Sequence, residues 1–366
     1  MKILHLTDRW ITGGGQEHIY RICEGFPNHH FVVLAGHSGP ARPRFASLPN
    51  VETLTGALSR KIVDALQPDI IHIHHLRPLI HWYFRRHALS PYPMVVTVHG
   101  IHVRRYDFQR DPGSRLKSMI RRFTERKLYH RADRVIAVSR EDREFLIRQY
   151  GLENVETVFN GIPAINPRSP TVDGTLEGLD CPKGGIVALV PARFDFQKGH
   201  DILINAVAHP LLSAHRHRMI FLLAGEGPLR RDMEAMALGA GVDDRFHFLG
   251  DCSHERILDL MRASDIVLLP SRWEGLPIAL LEAGMLARPV LASDACGNRE
   301  VLEERRGLIF VNGDPESLAK GLRGIIENPL ILEGLGEKLR DHVREMYSLE
   351  RMLGSLEALY ENCLQG

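Results

Sequence analysis

Residues 265–283 read DIVLLPSRWEGLPIALLEA, and the backbone requirement changes twice along that stretch. Residues 265–270 are apolar and branched, without the strict alternation of a half-buried strand, as suits a strand covered on both faces. Ser271, Arg272, Trp273, Glu274 and Gly275 then make a turn, and Pro277 is a favoured residue in the first turn of a helix. A helix beginning there carries Glu282 roughly 1.5 turns along its length. The unit is therefore strand, turn, helix, with two carboxylates flanking the turn.

The same alternation extends in both directions. Strands are predicted at 2–7, 30–35, 69–74, 94–99, 134–139 and 156–159 in the first half. In the second half they are predicted at 186–192, 219–224, 246–249, 265–270, 289–292 and 308–310, with helical patterns between them. Strand–helix alternation argues for parallel sheets built from βαβ units, hence an α/β protein. Residues 161–185 interrupt the pattern with four prolines and no periodicity, as a linker does. The expected organisation is a first Rossmann-like domain at 1–165, a linker at 166–185 and a second Rossmann-like domain at 186–348. A last helix at 349–366 is expected to pack back on the first domain.

Composition bounds the chemistry. The 366 residues suit two domains, and 44% hydrophobic with 25% charged is ordinary for a globular enzyme. No apolar run approaches the roughly 20 residues that span a bilayer, and the start MKILHLTDRW lacks the apolar core of a secretion signal. Five scattered cysteines without a Cys-x-x-Cys pair fit a reducing compartment, so a cytoplasmic location is expected. The net charge of +1 hides a division. Residues 1–165 hold 24 basic and 15 acidic residues, a net +9, and the remainder holds 22 and 30, a net −8.

In open parallel sheets ligands bind beyond the carboxyl ends of the strands, so residues just after strands are the candidates. After the first strand come Gly13, Gly14 and Gly15, which remove Cβ atoms where a ligand can approach the backbone. The spacing is not that of a dinucleotide fingerprint. After the strand at 186–192 come Arg193 and then Lys198-Gly199 at a helix start. A planar guanidinium and a mobile ammonium suit a diphosphate, each charge-assisted contact contributing about 1.5–3 kcal/mol. Gly225-Glu226-Gly227-Pro228 forms a second glycine turn on the same edge. Glu274 and Glu282 beside an anion site read best as acceptors for sugar and ribose hydroxyls.

These residues carry a resemblance. The block from Glu274 to Glu282 resembles the EX7E motif of the retaining GT-B glycosyltransferases, the large group called family four. Arg193 and Lys198-Gly199 look like that family's diphosphate pair, and Gly14-Gly15-x-Glu17 like its N-terminal glycine loop. Asn160-Gly161 and Gly225-Glu226-Gly227-Pro228 are also similar to family features. Ala192, where glycine is common, and Pro163, where an acidic residue is common, depart from the pattern. The resemblance implies two Rossmann-like doubly wound domains facing a cleft, with nucleotide mainly on the second domain and acceptor mainly on the first. It implies that Glu282 holds the ribose, that Arg193 and Lys198 hold the diphosphate, and that Glu274 with the amides of Gly275, Leu276, Pro277 and Ile278 meets the donor sugar and phosphate. His99, which ends the predicted strand MVVTVH, stands where the family often has a histidine beside the donor sugar, and the resemblance adds Gly14, Gly15 and Gly225 to the donor set. The expected activity is retaining hexosyl transfer from a nucleotide sugar, UDP favoured, to a lipid-linked or cell-surface glycan in polysaccharide biosynthesis. A nucleotide-sugar epimerase and a non-catalytic donor-binding subunit are the alternatives.

Two expectations concern ions and surfaces. The chain has no Asp-x-Asp, so no metal or cofactor is expected, and phosphate charge falls to Arg193, Lys198 and helix dipoles. His72 and His74 share one face of their strand and His75 the other, which argues against a three-histidine zinc set there. Residues 102–134 are rich in arginine and lysine, with Leu116, Met119 or Ile120, Phe123 and Leu128 at helical spacing. Either that stripe enters the core under a solvated basic face, or the segment docks on anionic lipid as a peripheral membrane element. Nucleic acid is not an expected partner.

Overall fold

The computed structural model describes all residues except 12, 75, 85–90, 110–111, 168–175, 178–183 and 366. The chain divides into two compact units, the first comprising Met1–Pro163 with Tyr347–Gly366, the second Ala164–Met346.

The first unit holds β1 (Lys2–Arg9), β2 (His30–His37), β3 (Val51–Thr55), β4 (Ile70–His74), β5 (Met94–Val98), β6 (Arg134–Ala137) and β7 (Val155–Thr157). They form one parallel sheet in the order β3-β2-β1-β4-β5-β6-β7. The second unit holds β8 (Ile186–Pro191), β9 (Met219–Ala224), β10 (Phe246–Gly250), β11 (Ile266–Leu269), β12 (Val290–Ser293) and β13 (Leu308–Phe310). Their order is β10-β9-β8-β11-β12-β13, again all parallel. Each sheet is doubly wound, because the first strand of each sits centrally and the chain proceeds outward on both sides of it.

Burial on both faces explains the unbroken apolar runs. Along β1, Leu4 and Leu6 enter a core shared with Leu128, Tyr129 and Leu146 from the helices Pro112–Tyr129 and Arg140–Tyr150. Ile3 enters the opposite core, with Ile19 and Ile22 of the helix Gly14–Gly25 and Leu356 and Tyr360 of the helix Leu349–Gln365. Each fully buried branched side chain contributes about 1.5–3 kcal/mol. The C-terminal helix thus packs on one face of the first sheet. The chain returns to it beside the exit strand, where Ile162 N–H donates to the Tyr347 carbonyl (3.1 Å) and Leu349 N–H to the Ile162 carbonyl (2.9 Å). A Cβ on Gly161 would lie 2.6 Å from the Ser348 oxygen, so the crossing of the two segments depends on that glycine.

Twelve of these strands match predicted runs. β3, VETLT, was not among them. It is an edge strand paired only with β2 and none of its residues is fully buried, so its sequence carries no continuous apolar signal.

The helix Pro112–Tyr129 departs from the core reading of its stripe. Leu116, Met119, Ile120 and Phe123 are 55–63% exposed, whereas Ser114, Glu125, Leu128 and Tyr129 are buried. Glu125 accepts from Arg121 Nε (2.7 Å) and from the Tyr150 hydroxyl (2.6 Å), so a polar network holds the inward face of the helix. Arg110, in the same basic segment, lies outside the described residues, as do His75 and much of the stretch 166–185.

Candidate functional site

Strand order reverses between β1 and β4 in the first sheet and between β8 and β11 in the second. Such switch points open a crevice at the carboxyl ends of the two strands. The loops after β8 and β11 carry Arg193, Lys198 and Glu274; the helix that follows the β1 loop opens with Gly14 and Gly15, and His99 follows β5.

In the second unit the β8 loop is anchored by Phe194, which is fully buried and stacks on His200 at 4.2 Å. Burial lowers the His200 pKa to about 4, reinforced by the Lys198 charge and opposed by the weaker effects of Asp195 and Asp201, so this ring packs as a neutral group. A single turn, Phe196–Lys198, then ends at Gly199 with φ +68°. A Cβ there would sit 2.1 Å from the Pro270 oxygen, so the β8 loop lies directly against the end of β11. This brings Lys198 Nζ to 2.6 Å from Glu274 Oε1, with side-chain exposures of 24% and 8%. Gln197 Nε2 donates to the Trp273 carbonyl (2.8 Å), and Arg272 N–H donates to the Gln197 carbonyl (2.7 Å), locking the two loops together. Arg193 is half exposed and pairs with Asp195 at 2.6 Å.

Glycines here serve chain crossing. Gly225 (φ +155°) approaches the Ala192 carbonyl, and Gly227 the Phe194 carbonyl, so closely that a Cβ would lie 2.3 and 2.4 Å away. The Gly225–Gly227 turn therefore supports the loop bearing Arg193 from beneath.

Pro277 is the N-cap of the helix Ile278–Met285, one position earlier than a first-turn proline, with φ −72° and ψ 123°. The preceding loop is held by residues that sequence reasoning missed. Ser293 Oγ donates to the Ser271 carbonyl (2.5 Å), Asn312 Nδ2 to the Arg272 carbonyl (2.5 Å), and Asn298 Nδ2 to Ser293 (3.2 Å to its carbonyl). Gly297 packs its backbone on Gly275. None of these sits in a motif of its own; they end or follow β12 and β13, whose neighbours only the sheet defines. Glu282 is 5% exposed, and His254 Nε2 lies 2.6 Å from its Oε1. His254 opens the helix His254–Ala263, whose N-cap Ser253 accepts from Arg256 N–H. The structure thus gives Glu282 a histidine neighbour from the end of β10.

In the first unit Gly13 takes φ +156° and precedes the helix Gly14–Gly25. Glu17 is paired with Arg44 (2.5 Å) and Arg21 (2.8 Å). Beneath the loop lies a group of five histidines. His5 of β1 and His72 and His74 of β4 are fully buried, His18 of the helix is 1% exposed, and His99 follows β5 at intermediate exposure. His5 Nδ1 meets His74 Nε2 at 2.8 Å, and His74 Nδ1 meets His99 Nε2 at 3.1 Å. His72 bonds the Tyr360 hydroxyl and Thr97 Oγ1, both at 2.7 Å. Burial, then the neighbouring imidazoles, lowers the pKa of His72 and His74 well below the usual value, and burial with His18 lowers that of His5 to about 3. Two triads, His5–His72–His74 and His18–His74–His99, bring three ring nitrogens within 4.8 Å of one another. The three-histidine set read from the sequence held His72, His74 and His75. It missed His5 and His18, whose proximity arises from the pairing of β1 with β4 and the packing of the first helix.

The comparisons with known proteins follow this division. Residues 12–164 match the model of Glycosyltransferase Family 4, and residues 177–346 that of Glycosyl transferases group 1. The chain is 29% identical over 175 residues to alpha-D-kanosaminyltransferase of Streptomyces kanamyceticus, an alignment covering 48% of this chain and 45% of that protein. The chain thus spans about half the length of that relative. It is 26% identical over 365 residues to D-inositol 3-phosphate glycosyltransferase 1 of Catenulispora acidiphila, covering 95% of this chain and 84% of the relative. Among solved structures, Anabaena Alr3699/HepE in complex with UDP and glucose superposes with a TM-score of 0.83 at 21% identity, over 99% of this chain and all of that one. That likeness shows the GT-B fold. With one glycosyltransferase model matched by each half and the GT-B fold across both, the chain belongs to the GT-B glycosyltransferases of family 4.

Proposed function

We propose that this protein is a retaining, metal-independent glycosyltransferase that moves a sugar from a nucleotide sugar, a UDP-sugar by preference, to a lipid-linked or cell-surface glycan. The observation that carries the reading is the meeting of Lys198 and Glu274 at the switch point of the second sheet, with Arg193 on the same loop. A cation held by a carboxylate can pass to a diphosphate, and the released carboxylate can then accept from sugar hydroxyls. Glu282, with His254 beside it, suits the ribose hydroxyls. The start of the helix Ile278–Met285 adds backbone N–H groups and a favourable dipole for phosphate. Retention follows from a same-face displacement in which a donor phosphate oxygen takes the acceptor's proton, with His99, Gly14 and Gly15 on the sugar side. The UDP bound by Alr3699/HepE supports the choice of base.

The test is calorimetry of the purified protein with UDP and a panel of nucleotide sugars, with and without a chelator, followed by product analysis. Micromolar-range binding that survives chelation, and transfer with retained configuration, are expected. No affinity for any nucleoside diphosphate overturns the proposal. Isomerisation of the donor sugar without acceptor replaces it with an epimerase, and binding without transfer or hydrolysis replaces it with a non-catalytic subunit.

The membrane part rests on the exposed stripe Leu116, Met119, Ile120 and Phe123, flanked by the exposed cations Arg115, Lys117, Arg126 and Lys127. Apolar side chains between basic ones complement an anionic lipid surface, each cation contributing on the order of 1 kcal/mol. Among the described residues no helix is long and apolar enough to cross a membrane, so the association would be peripheral. Sedimentation with phosphatidylglycerol vesicles at low salt is expected, weakening as salt rises and lost in a Met119→Glu, Phe123→Glu variant. Equal sedimentation of that variant, or none by the wild type, excludes this surface.

A further inference from the structure

The histidines of the first unit are joined in a way that constrains one of them. His5, His74 and His99 form a line of three imidazoles bonded nitrogen to nitrogen, 2.8 Å and then 3.1 Å. A neutral imidazole has one N–H and one bare nitrogen, so each bond needs a donor on one side only. The line therefore has a single polarity at any moment, and the proton position on one ring dictates the others. Burial keeps His5 and His74 neutral, which excludes the escape of adding a proton.

The polarity follows from the closed end. His5 is fully buried, and its Nε2 has no hydrogen-bond partner among the described residues. If the line ran outward-in, with His99 donating to His74 and His74 to His5, the His5 proton would sit on Nε2 as a buried N–H without an acceptor. Running inward-out, His5 donates through Nδ1 and leaves a bare nitrogen at Nε2. An orphaned buried N–H is the rarer defect, because it loses a strong donor interaction with water.

We propose that His5 and His74 hold His99 in the neutral tautomer with the proton on Nδ1 and a bare Nε2 accepting from His74. His74 and His5 are then positioning residues, and the Nε2 of His99, engaged by His74, is not available as a general base. This rests on the reading of His99 as a donor-site residue; the tautomer itself does not. The proton on Nδ1 is the less common form of a free histidine, so its signature is distinctive. His72 stands beside the line without joining it, its ring nitrogens taken by Tyr360 and Thr97.

The experiment is two-bond proton–nitrogen correlation spectroscopy on protein labelled with ¹⁵N-histidine, the His99 signals assigned by their loss in His99→Gln. In the wild type His99 is expected to show a protonated Nδ1 and a bare Nε2. In His5→Phe and His74→Phe that pattern is expected to give way to a mixture, with kcat reduced about tenfold and UDP affinity by calorimetry unchanged. A wild-type His99 protonated on Nε2, already mixed, or moved to metal-bound shifts by one equivalent of zinc overturns the proposal, as does an unaltered tautomer in both variants. Because the wild-type spectrum needs neither substrate nor a folded variant, it decides this inference separately from the donor-binding test of the proposed function.

Discussion

Replacing Lys198 by alanine is expected to lower kcat/KM with the nucleotide-sugar donor by about 10- to 100-fold, and Arg193→Ala by about tenfold. A charge-assisted contact contributes about 1.5–3 kcal/mol, and every 1.4 kcal/mol is about tenfold. The two cations differ in surroundings. Lys198 is held 2.6 Å from Glu274, whose side chain is only 8% exposed. Without the ammonium, that carboxylate stays in place as an uncompensated negative charge facing the incoming phosphates, so the loss exceeds one contact. Arg193 is half exposed and pairs with Asp195, itself 19% exposed. Solvent then offsets part of its removal, and the smaller effect follows. Steady-state kinetics over a donor concentration series checks both, and wild-type turnover in the two variants would remove these cations from the site.

Gly297→Ala is expected to reduce kcat/KM about a hundredfold while the protein stays folded. A Cβ on residue 297 would lie 1.9 Å from the Gly275 oxygen, 2.6 Å from its carbonyl carbon and 3.0 Å from the Leu276 Cα. All three are backbone atoms, and no flexible side chain can yield. The loop bearing Glu274 must therefore shift by roughly 1 Å, and a displacement of that size in a site can cost about 10²-fold. Gly324→Ala is the companion, since nothing lies within 4 Å of its added Cβ in the last turn of the helix Pro315–Glu327. Alanine there should stabilise by up to about 1 kcal/mol through helix propensity and leave kinetics alone. Melting curves and kinetics of both variants make the comparison. An active Gly297→Ala would show that the loop tolerates movement and does not set the geometry.

The two variants illustrate how far local sequence reaches. Glu274 and Glu282 stood out because strand, turn and helix lie within 19 consecutive residues, 265–283, and each step has a local chemical cause. Their neighbours in space did not. Lys198 reaches Glu274 across 76 residues and His254 reaches Glu282 across 28. The serine, asparagines and glycine that hold the loop come from the ends of β12 and β13 and the helix between them. A lone Gly297 or Ser293 is chemically ordinary until the sheet order sets it beside β11.

By itself, the sequence determined the fold class and the strand–helix alternation of both halves. It did so because strands buried on both faces must be continuously apolar, and a turn at a strand end must contain residues that permit it. It also marked the basic first half and the glycine turns. Only the tertiary structure decided which strands are neighbours, and with that the five-histidine group, the edge strand β3 and the outward stripe of the helix Pro112–Tyr129. The reason is physical. Burial is a property that each residue carries in its own side chain, whereas a hydrogen-bond partner or an exposed face depends on register and on what else packs there. Those are fixed by the sum of many weak contacts across the whole domain, and no short window of residues contains them.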